Sequence, residues 1–232
     1  GCRLRIDLPV PPDASGTART VHVAPDGTRA LVRFILDEVV EPSGEEVGVD
    51  WHGHRDRGFG LANALTAYEA GAERIHGTAL GIGERVGNTE MDLLMVNLRL
   101  LGWIDNDLSS LGEYCDLAAK ACGVALPHDY PVVGRDAFRT ATGVHAAAIV
   151  KAEQKGADWL ADRVYSGVPA SMVGRRQKIE VGPMSGLSNV KYWLAANGYD
   201  PSDDELCERI FAAAKTSDHT LTEDELSALV PA

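Results

Sequence analysis

The stretch Val47-Gly48-Val49-Asp50-Trp51-His52-Gly53-His54 decides the fold class. Its first part is short and β-branched, which is typical of a buried strand in a parallel sheet. His52 and His54 then follow two positions apart, so an extended chain places both side chains on one face. Two imidazoles on one face can bind one metal ion, although such pairs are more often surface or helix decoration. If the strand belongs to a parallel barrel, the pair lies at the end where active sites form.

Strands and helices alternate around this stretch. The pattern predicts a helix over Arg29–Val40, a helix over Gly60–Ala70 that Gly71 ends, a strand over Arg74–Thr78, and a helix from Thr89, its N-cap, to about Leu101. Such an order indicates an α/β fold with parallel strands. Only about three βα units are present, whereas a closed barrel has eight. We therefore predict the C-terminal part of a (β/α)8 TIM barrel, followed by small, mainly helical subdomains.

Three parts are predicted along the chain. Residues 1–126 hold the barrel elements, after a Pro-, Gly- and Ser-rich lead-in loop over 1–18. Residues 127–180 form a linker subdomain, in which Ala137–Lys155 has a helical pattern on both sides of Gly143. Residues 181–232 form a small helical subdomain, and Thr222-Glu223-Asp224-Glu225 near its end has the form of a capping box.

Composition narrows the function classes. The chain has 232 residues and a formal net charge of −12, which argues against non-specific nucleic-acid binding. No apolar run approaches the roughly 20 residues that span a bilayer, and no secretion signal opens the chain, so we expect no membrane association. The four cysteines are scattered at Cys2, Cys115, Cys122 and Cys207. This spacing suggests neither a zinc knuckle nor a disulfide framework, and it favours a reduced, cytoplasmic setting.

Two long motifs resemble one enzyme family. The segment 52–63 resembles the H-x-H-N-D-x-G-x-A-x-A-N stretch of the 2-isopropylmalate, homocitrate and citramalate synthases. The segment 71–88 resembles the G-A-x-x-x-x-G-T-x-x-G-I-G-E-R-x-G-N stretch of the same family. The motifs occur in the family's order and at its separation, and the resemblance extends over about residues 20–195.

The resemblance implies a metal-dependent TIM barrel that performs a Claisen-type condensation. Acetyl-CoA is deprotonated at its methyl group and adds to the carbonyl of a 2-oxo acid, and thioester hydrolysis then gives a 2-hydroxy diacid. A divalent metal orients and polarises the keto acid. His52 and His54 match the family's metal ligands, and Asn88 matches a residue near the metal. Such ligands suit Mg, Mn or Zn.

Further site residues follow from the same resemblance. Glu84 and Arg85, in the glycine-rich loop, would line the acetyl-CoA or substrate pocket, Glu84 as a catalytic group and Arg85 as a substrate-binding one. The alternative is a local ion pair that orders the loop. Thr20 would match a substrate-binding threonine near the end of the sixth strand, although Arg19 stands where the family has aspartate.

A third segment, 133–145, resembles the family's V-G-x-x-A-F-x-H-x-S-G-I-H. His145 matches a histidine assigned to acid–base catalysis, often at a neighbouring protomer's site. The family continues Q-D-G, whereas this chain has Ala146-Ala147-Ala148. Tyr165 falls where the family has a tyrosine suggested to activate the hydrolytic water. The alternatives are a packed helix histidine and a half-buried core tyrosine, and His76 is interpreted as structural.

The family's first strand carries a metal-binding Asp and a substrate-binding Arg, and this chain contains neither motif. Three explanations therefore compete: the chain is a fragment, one subunit of a split enzyme, or a decayed or regulatory relative. We expect an N-terminal barrel half as partner or remainder, in a homodimer or heterotetramer. HMG-CoA lyases, which run the related reaction backwards, place a cysteine in the loop where this chain has Val86-Gly87-Asn88, so the loop favours a synthase. A non-catalytic subunit is the third hypothesis.

Overall fold

The computed structural model describes residues 2–4 and 24–231. The chain divides into two compact units, of which the first is Gly1–Asn106 with Leu117–Gly123 and the second is Asp107–Asp116 with Val124–Ala232. Thr20, a predicted substrate-binding residue, lies outside the described residues. Within the described ranges, every helix is too short or too polar to cross a membrane.

A parallel sheet forms the centre of the first unit, in the order β1 (Cys2–Leu4), β2 (Val47–Trp51), β3 (Arg74–Ile75). The helices of this unit are α1 (Pro25–Ile35), which continues as a π-helical turn over Leu36–Val40, α2 (Glu41–Ser43), α3 (Gly60–Glu69) and α4 (Met91–Leu100), with a 3-10 turn over Ala79–Gly81. The parallel pairing of β2 with both neighbours confirms the predicted alternation. Because β1 pairs with β2, the prediction that all of 1–18 is a loop is wrong for Cys2–Leu4.

Small side chains bring α3 close to the sheet and to α1. Ala67 of α3 is fully buried with Val32 of α1 and Val49 of β2 in one apolar cluster. Gly71 ends α3 as predicted, since its φ of +114° suits glycine and its N–H donates to the Tyr68 carbonyl at 3.0 Å. This packing fixes the loop that precedes α3, which carries the histidine pair.

Thr89 is not the N-cap of α4, so that prediction is wrong. The cap is Glu90, and the helix begins at Met91. Thr89 is fully buried, and its hydroxyl donates to the Gly60 carbonyl at the start of α3, 3.4 Å away. The hydroxyl therefore pairs with a carbonyl distant in sequence rather than with its own helix.

The second unit contains a two-stranded parallel pair, β4 (Arg139–Thr140) with β5 (Lys178–Ile179). Its helices are α6 (Gly143–Gln154), α7 (Asp158–Ala161), α8 (Leu187–Ala196), α9 (Asp204–Thr216) and α10 (Glu223–Ala228), with a 3-10 turn over Ala170–Val173, while the residues of α5 (Leu111–Cys122) are divided between the two units. The predicted helix over Ala137–Lys155 is wrong before Gly143. There the chain extends because the Lys178 N–H donates to the Phe138 carbonyl at 2.8 Å.

Helices α8, α9 and α10 share one apolar core. Leu194 and Ile210 are fully buried in it, and Leu226 of α10 is almost so. The predicted capping box of α10 is confirmed, because the Thr222 N–H donates to the Glu225 carboxylate at 2.8 Å and the Glu225 N–H donates to the Thr222 hydroxyl at 3.3 Å. Helix α10 thus has a defined start.

We expect Asp203→Ala to lower the free energy of unfolding by about 1 kcal/mol, because Asp203 caps α9 by accepting the Leu206 N–H at 2.9 Å. Urea denaturation of the variant measures the change. Asp204→Ala is the matched control, since its carboxylate is 86% exposed and pairs only weakly with Lys191 at 3.6 Å. Equal losses in the two variants would contradict the capping role.

Candidate metal-binding and catalytic residues

His52 and His54 lie together at the carboxyl end of β2. Their ring centroids are 5.2 Å apart, and the rings are nearly perpendicular. The His52 side chain is exposed and His54 is partly buried. The loop therefore presents two imidazoles to one region at the carboxyl edge of a parallel sheet, which is the edge where such sheets bind ligands.

One backbone carbonyl orients the His54 ring. Nδ1 of His54 lies 3.2 Å from the carbonyl oxygen of Gly87. Because a carbonyl oxygen only accepts, Nδ1 carries the hydrogen in this contact, which in the neutral ring leaves the lone pair on Nε2. Metal-binding histidines usually have one ring nitrogen fixed in this way.

Asn88 lies beside His54 and has an unsatisfied oxygen. The two residues form an isolated antiparallel bridge. The side-chain oxygen of Asn88 is buried and has no hydrogen-bond partner in the part of the chain that is described. A buried amide oxygen without a partner is unusual and is a suitable ligand for a hard cation. Gly83 makes room for this amide, since a Cβ there would lie 2.0 Å from Asn88 Nδ2.

These three side chains fit a divalent metal ion, but as an incomplete set of ligands. Among the described residues, no three His, Cys, Asp or Glu side chains are grouped to hold a metal. Two imidazoles and one amide oxygen fall short of the four to six ligands that Zn, Mg or Mn takes. The remaining ligands would come from outside this group.

His76, which the sequence analysis interpreted as structural, is a neighbour of the histidine pair. Its ring centroid is 5.5 Å from that of His52, and its Nε2 is 3.5 Å from Asp50 Oδ2. The position of His76 in the sequence could have predicted this proximity, because His76 directly follows β3 as His52 directly follows β2. Parallel neighbours end at one edge, so residues after both strands come close together.

The glycine-rich loop holds Arg85 in a salt bridge with Asp56. Arg85 donates from Nε to Asp56 Oδ1 at 2.8 Å and from Nη2 to Oδ2 at 3.2 Å. Its Nη1 lies 3.8 Å from Glu84 Oε1. The hydrogen bonds lower the pKa of Asp56 and raise the pKa of Arg85. Glu84 is largely exposed, so the ion pair that orders this loop involves Asp56 more than Glu84.

Two non-glycine residues of this loop have a left-handed backbone, namely Leu80 with φ +55° and Arg85 with φ +59°. The Leu80 N–H donates to the buried carboxylate of Asp92 at 2.7 Å, which holds the strained turn in place. Strain of this kind is often retained where a loop must present groups precisely.

His145 and Tyr165, both in the second unit, are stacked. Their ring centroids are 3.9 Å apart with 28° between the planes, so the structure brings together two residues 20 positions apart in sequence. Tyr165 is 49% exposed and is therefore not a core side chain. Ala146, the first of the three alanines after His145, is fully buried against Ile149. A larger polar residue would not fit there.

A cavity of about 520 Å³ lies elsewhere in the second unit. Glu153, Trp159 and Tyr192 line it, and none of the predicted site residues does. Burial, with a smaller effect of Asp158, raises the pKa of Glu153. The cavity is therefore separate from the paired rings of His145 and Tyr165.

Comparison with known proteins gives consistent matches. An HMGL-like family model matches residues 16–118. The (R)-citramalate synthase of Aquifex aeolicus is 34% identical over 78% of this chain and 34% of its own length. The homocitrate synthase AksA of Methanothermobacter thermautotrophicus is 31% identical over 80% of this chain and 44% of its own. A probable 2-isopropylmalate synthase of Ignicoccus hospitalis is 29% identical over 97% of this chain and 52% of its own.

Among solved structures, an HMG-CoA lyase from Acinetobacter baumannii, in complex with coenzyme A and 3-methylmalate, covers 44% of this chain at 27% identity. Its TM-score is 0.37, too low to support a conclusion about fold or activity. The chain spans between about a third and a half of the length of the curated relatives it matches.

Proposed function

Since the chain contains an HMGL-like domain and is similar to citramalate, 2-isopropylmalate and homocitrate synthases, we propose that it catalyses a Claisen-type condensation of acetyl-CoA with a 2-oxo acid. The product would be a 2-hydroxy diacid, and the activity would be that of an acyltransferase. The observation that carries the proposal is the unsatisfied oxygen of Asn88 beside the fixed ring of His54.

His52, His54 and Asn88 would hold the divalent metal ion, which is Mg, Mn or Zn. When bound, such an ion polarises the keto carbonyl of the 2-oxo acid and fixes its orientation. The chain's part is to present an imidazole whose Nε2 is turned to the ion by the contact at Nδ1, and an amide oxygen that has no other partner among the described residues. Both features raise the affinity for a cation without requiring a charged ligand.

His145 and Tyr165 would handle protons. Histidine is the side chain best suited to both taking and giving a proton in neutral solution. The stacking contact keeps the imidazole and the phenol face to face, so the hydroxyl of Tyr165 has a defined position relative to the imidazole. Glu84, exposed on the glycine-rich loop, would be a further catalytic carboxylate. Arg85 would bind the substrate's anionic group, in exchange for Asp56.

The incomplete set of metal ligands supports a partner or a further part of the chain. We propose that the front half of the barrel, as a separate subunit or as the remainder of the protein, supplies the missing ligands and the substrate-binding arginine. The assembly would be a homodimer or a heterotetramer. The identity of the 2-oxo acid would depend largely on that half.

The test is an assay of the chain co-purified with a front half of the barrel. We expect release of CoA from acetyl-CoA with at least one member of a panel of 2-oxo acids of graded size, and loss of that activity after chelation of the metal. A folded, metal-loaded complex that is inactive with every acid would contradict the proposal and would favour a non-catalytic subunit.

In the same assay, Tyr165→Phe should lower kcat about tenfold and leave KM little changed, because the variant keeps the stacking on His145 but loses the hydroxyl. Tyr199→Phe is a control, since Tyr199 stacks on Trp193 in the same unit and has no proposed role. A Tyr165→Phe enzyme with unchanged kcat would assign Tyr165 a packing role only.

A further inference from the structure

Arg55 joins the loop after β2 to the glycine-rich loop by three contacts. Its Nε donates to the Val86 carbonyl at 2.5 Å, its Nη1 donates to Glu90 Oε1 at 2.5 Å, and its own backbone N–H donates to the Gly87 carbonyl at 3.2 Å. The Arg55 and Glu90 side chains are only 30% and 14% exposed. Solvent therefore screens this pair less than an ordinary surface ion pair.

Three glycines leave the space that the Arg55 side chain occupies. A Cβ at Gly60 would lie 2.9 Å from Arg55 Cβ, a Cβ at Gly81 would lie 2.9 Å from Nη1, and a Cβ at Gly87 would lie 3.1 Å from Nε. These glycines belong to two different segments of the chain. The backbone of both segments thus leaves room for this one side chain, and the Gly81 and Gly87 positions leave room for its guanidinium.

The Gly87 carbonyl links Arg55 to His54. It accepts one hydrogen bond from Nδ1 of His54 and another from the Arg55 N–H. The guanidinium holds the Val86 carbonyl, which belongs to the preceding peptide group. Because the consecutive carbonyls of Val86 and Gly87 both accept hydrogen bonds from Arg55, the Gly87 carbonyl points in a fixed direction toward the His54 ring.

We propose that Arg55 is a positioning residue that keeps the His54 ring in the tautomer and orientation in which Nε2 can bind a metal ion. Only the metal-binding test of this proposal rests on the proposed function, whereas the test of the tautomer does not. The family motif that segment 52–63 resembles has asparagine where this chain has Arg55, so the resemblance itself does not predict this contact. The planar fork of arginine suits the task, since it donates to two acceptors at once, whereas a lysine offers one point charge.

The first test needs no metal. At about pH 8.5, where imidazole is neutral, nitrogen-detected NMR of the histidine rings distinguishes the two tautomers. In the wild-type chain we expect the Nδ1–H form for His54, and in Arg55→Lys a mixture with the Nε2–H form. Arg57→Lys is the matched control, because Arg57 lies in the same loop over the Phe59 ring. We expect it to match wild type.

The second test is titration of the full chain with Co²⁺, with His54→Ala as the blank for other sites. We expect Arg55→Lys to bind roughly 10-fold to 100-fold more weakly than wild type, and Arg57→Lys to bind equally well. Thermal melting checks that the variants are folded. If Arg55→Lys is not folded, Glu90→Gln loosens the same guanidinium and should change the tautomer and the affinity in the same direction.

A wild-type His54 tautomer in Arg55→Lys would overturn the proposal. So would a changed tautomer with full Co²⁺ affinity, since Arg55 would then orient the ring without serving metal binding. If neither the wild-type chain nor its complex with the front half of the barrel binds Co²⁺ through His54, the metal role of His54 fails. The tautomer comparison alone then decides whether Arg55 positions the ring.

Discussion

Replacing His54 with alanine should weaken metal binding at least about 100-fold and abolish condensation activity. This loss of metal affinity is larger than the loss that usually follows when a group that only orients a metal ligand is removed. The Gly87 carbonyl holds Nδ1 of His54 and thereby orients the ring, so Nε2 of His54 is the best-positioned metal-binding atom of the proposed site. Metal content after desalting, measured by elemental analysis, and CoA release together check the prediction.

His128→Ala is the control for the loss of a histidine, because His128 is exposed in the second unit and has no proposed role. Its metal content and activity should equal those of wild type. Unchanged metal content in the His54 variant would mean that the ligand assignment is wrong, whatever the activity.

Gly87→Ala should lower the free energy of unfolding by more than about 3 kcal/mol and also impair the site. Gly87 has φ +102°, and a Cβ there would lie 1.9 Å from the carbonyl oxygen of Gly81. Backbone atoms cannot yield as a flexible side chain can, so the loop must rearrange. Because the Gly87 carbonyl holds His54, metal affinity should fall together with stability, as urea denaturation and Co²⁺ titration would measure.

Gly58→Ala separates backbone strain from collision. Gly58 also has a left-handed backbone, with φ +76°, but no atom of the described residues lies within 4 Å of a Cβ built there. We expect a loss of only about 1 kcal/mol, due to the backbone conformation alone. Equal effects of the two substitutions would show that the close approach to Gly81 does not matter.

Local patterns predicted those parts of the fold whose hydrogen bonds or packing are local. The β-branched run of β2, the glycine after α3 and the capping box of α10 all depend on neighbours within a few residues. The predictions at Thr89 and Phe138 were wrong because the partners of these residues, Gly60 and Lys178, are distant in the sequence. A lead-in rich in proline and glycine likewise concealed β1, whose strand identity comes from pairing with β2.

For the candidate site, sequence indicated the residue types but not the contacts between them. The spacing of His52 and His54 led to two rings that the structure places close together, and the motif ending at Asn88 led to a residue whose backbone pairs with that of His54. The roles of these residues remain predictions. The contact of Arg55 with the Val86 carbonyl could not be predicted, since it depends on three glycines leaving space for one side chain. The stacking of His145 on Tyr165 depends equally on tertiary structure.

The order β1-β2-β3 has a practical consequence for anyone handling this chain. Within the described residues, β1 and β3 each have a ladder partner on one side only. Backbone donors and acceptors on such a side can template pairing with another molecule. At high concentration, the chain by itself should therefore self-associate reversibly through the unpaired sides of β1 and β3. Light scattering would detect this association. A separate peptide that pairs with one of these sides as a strand should suppress it.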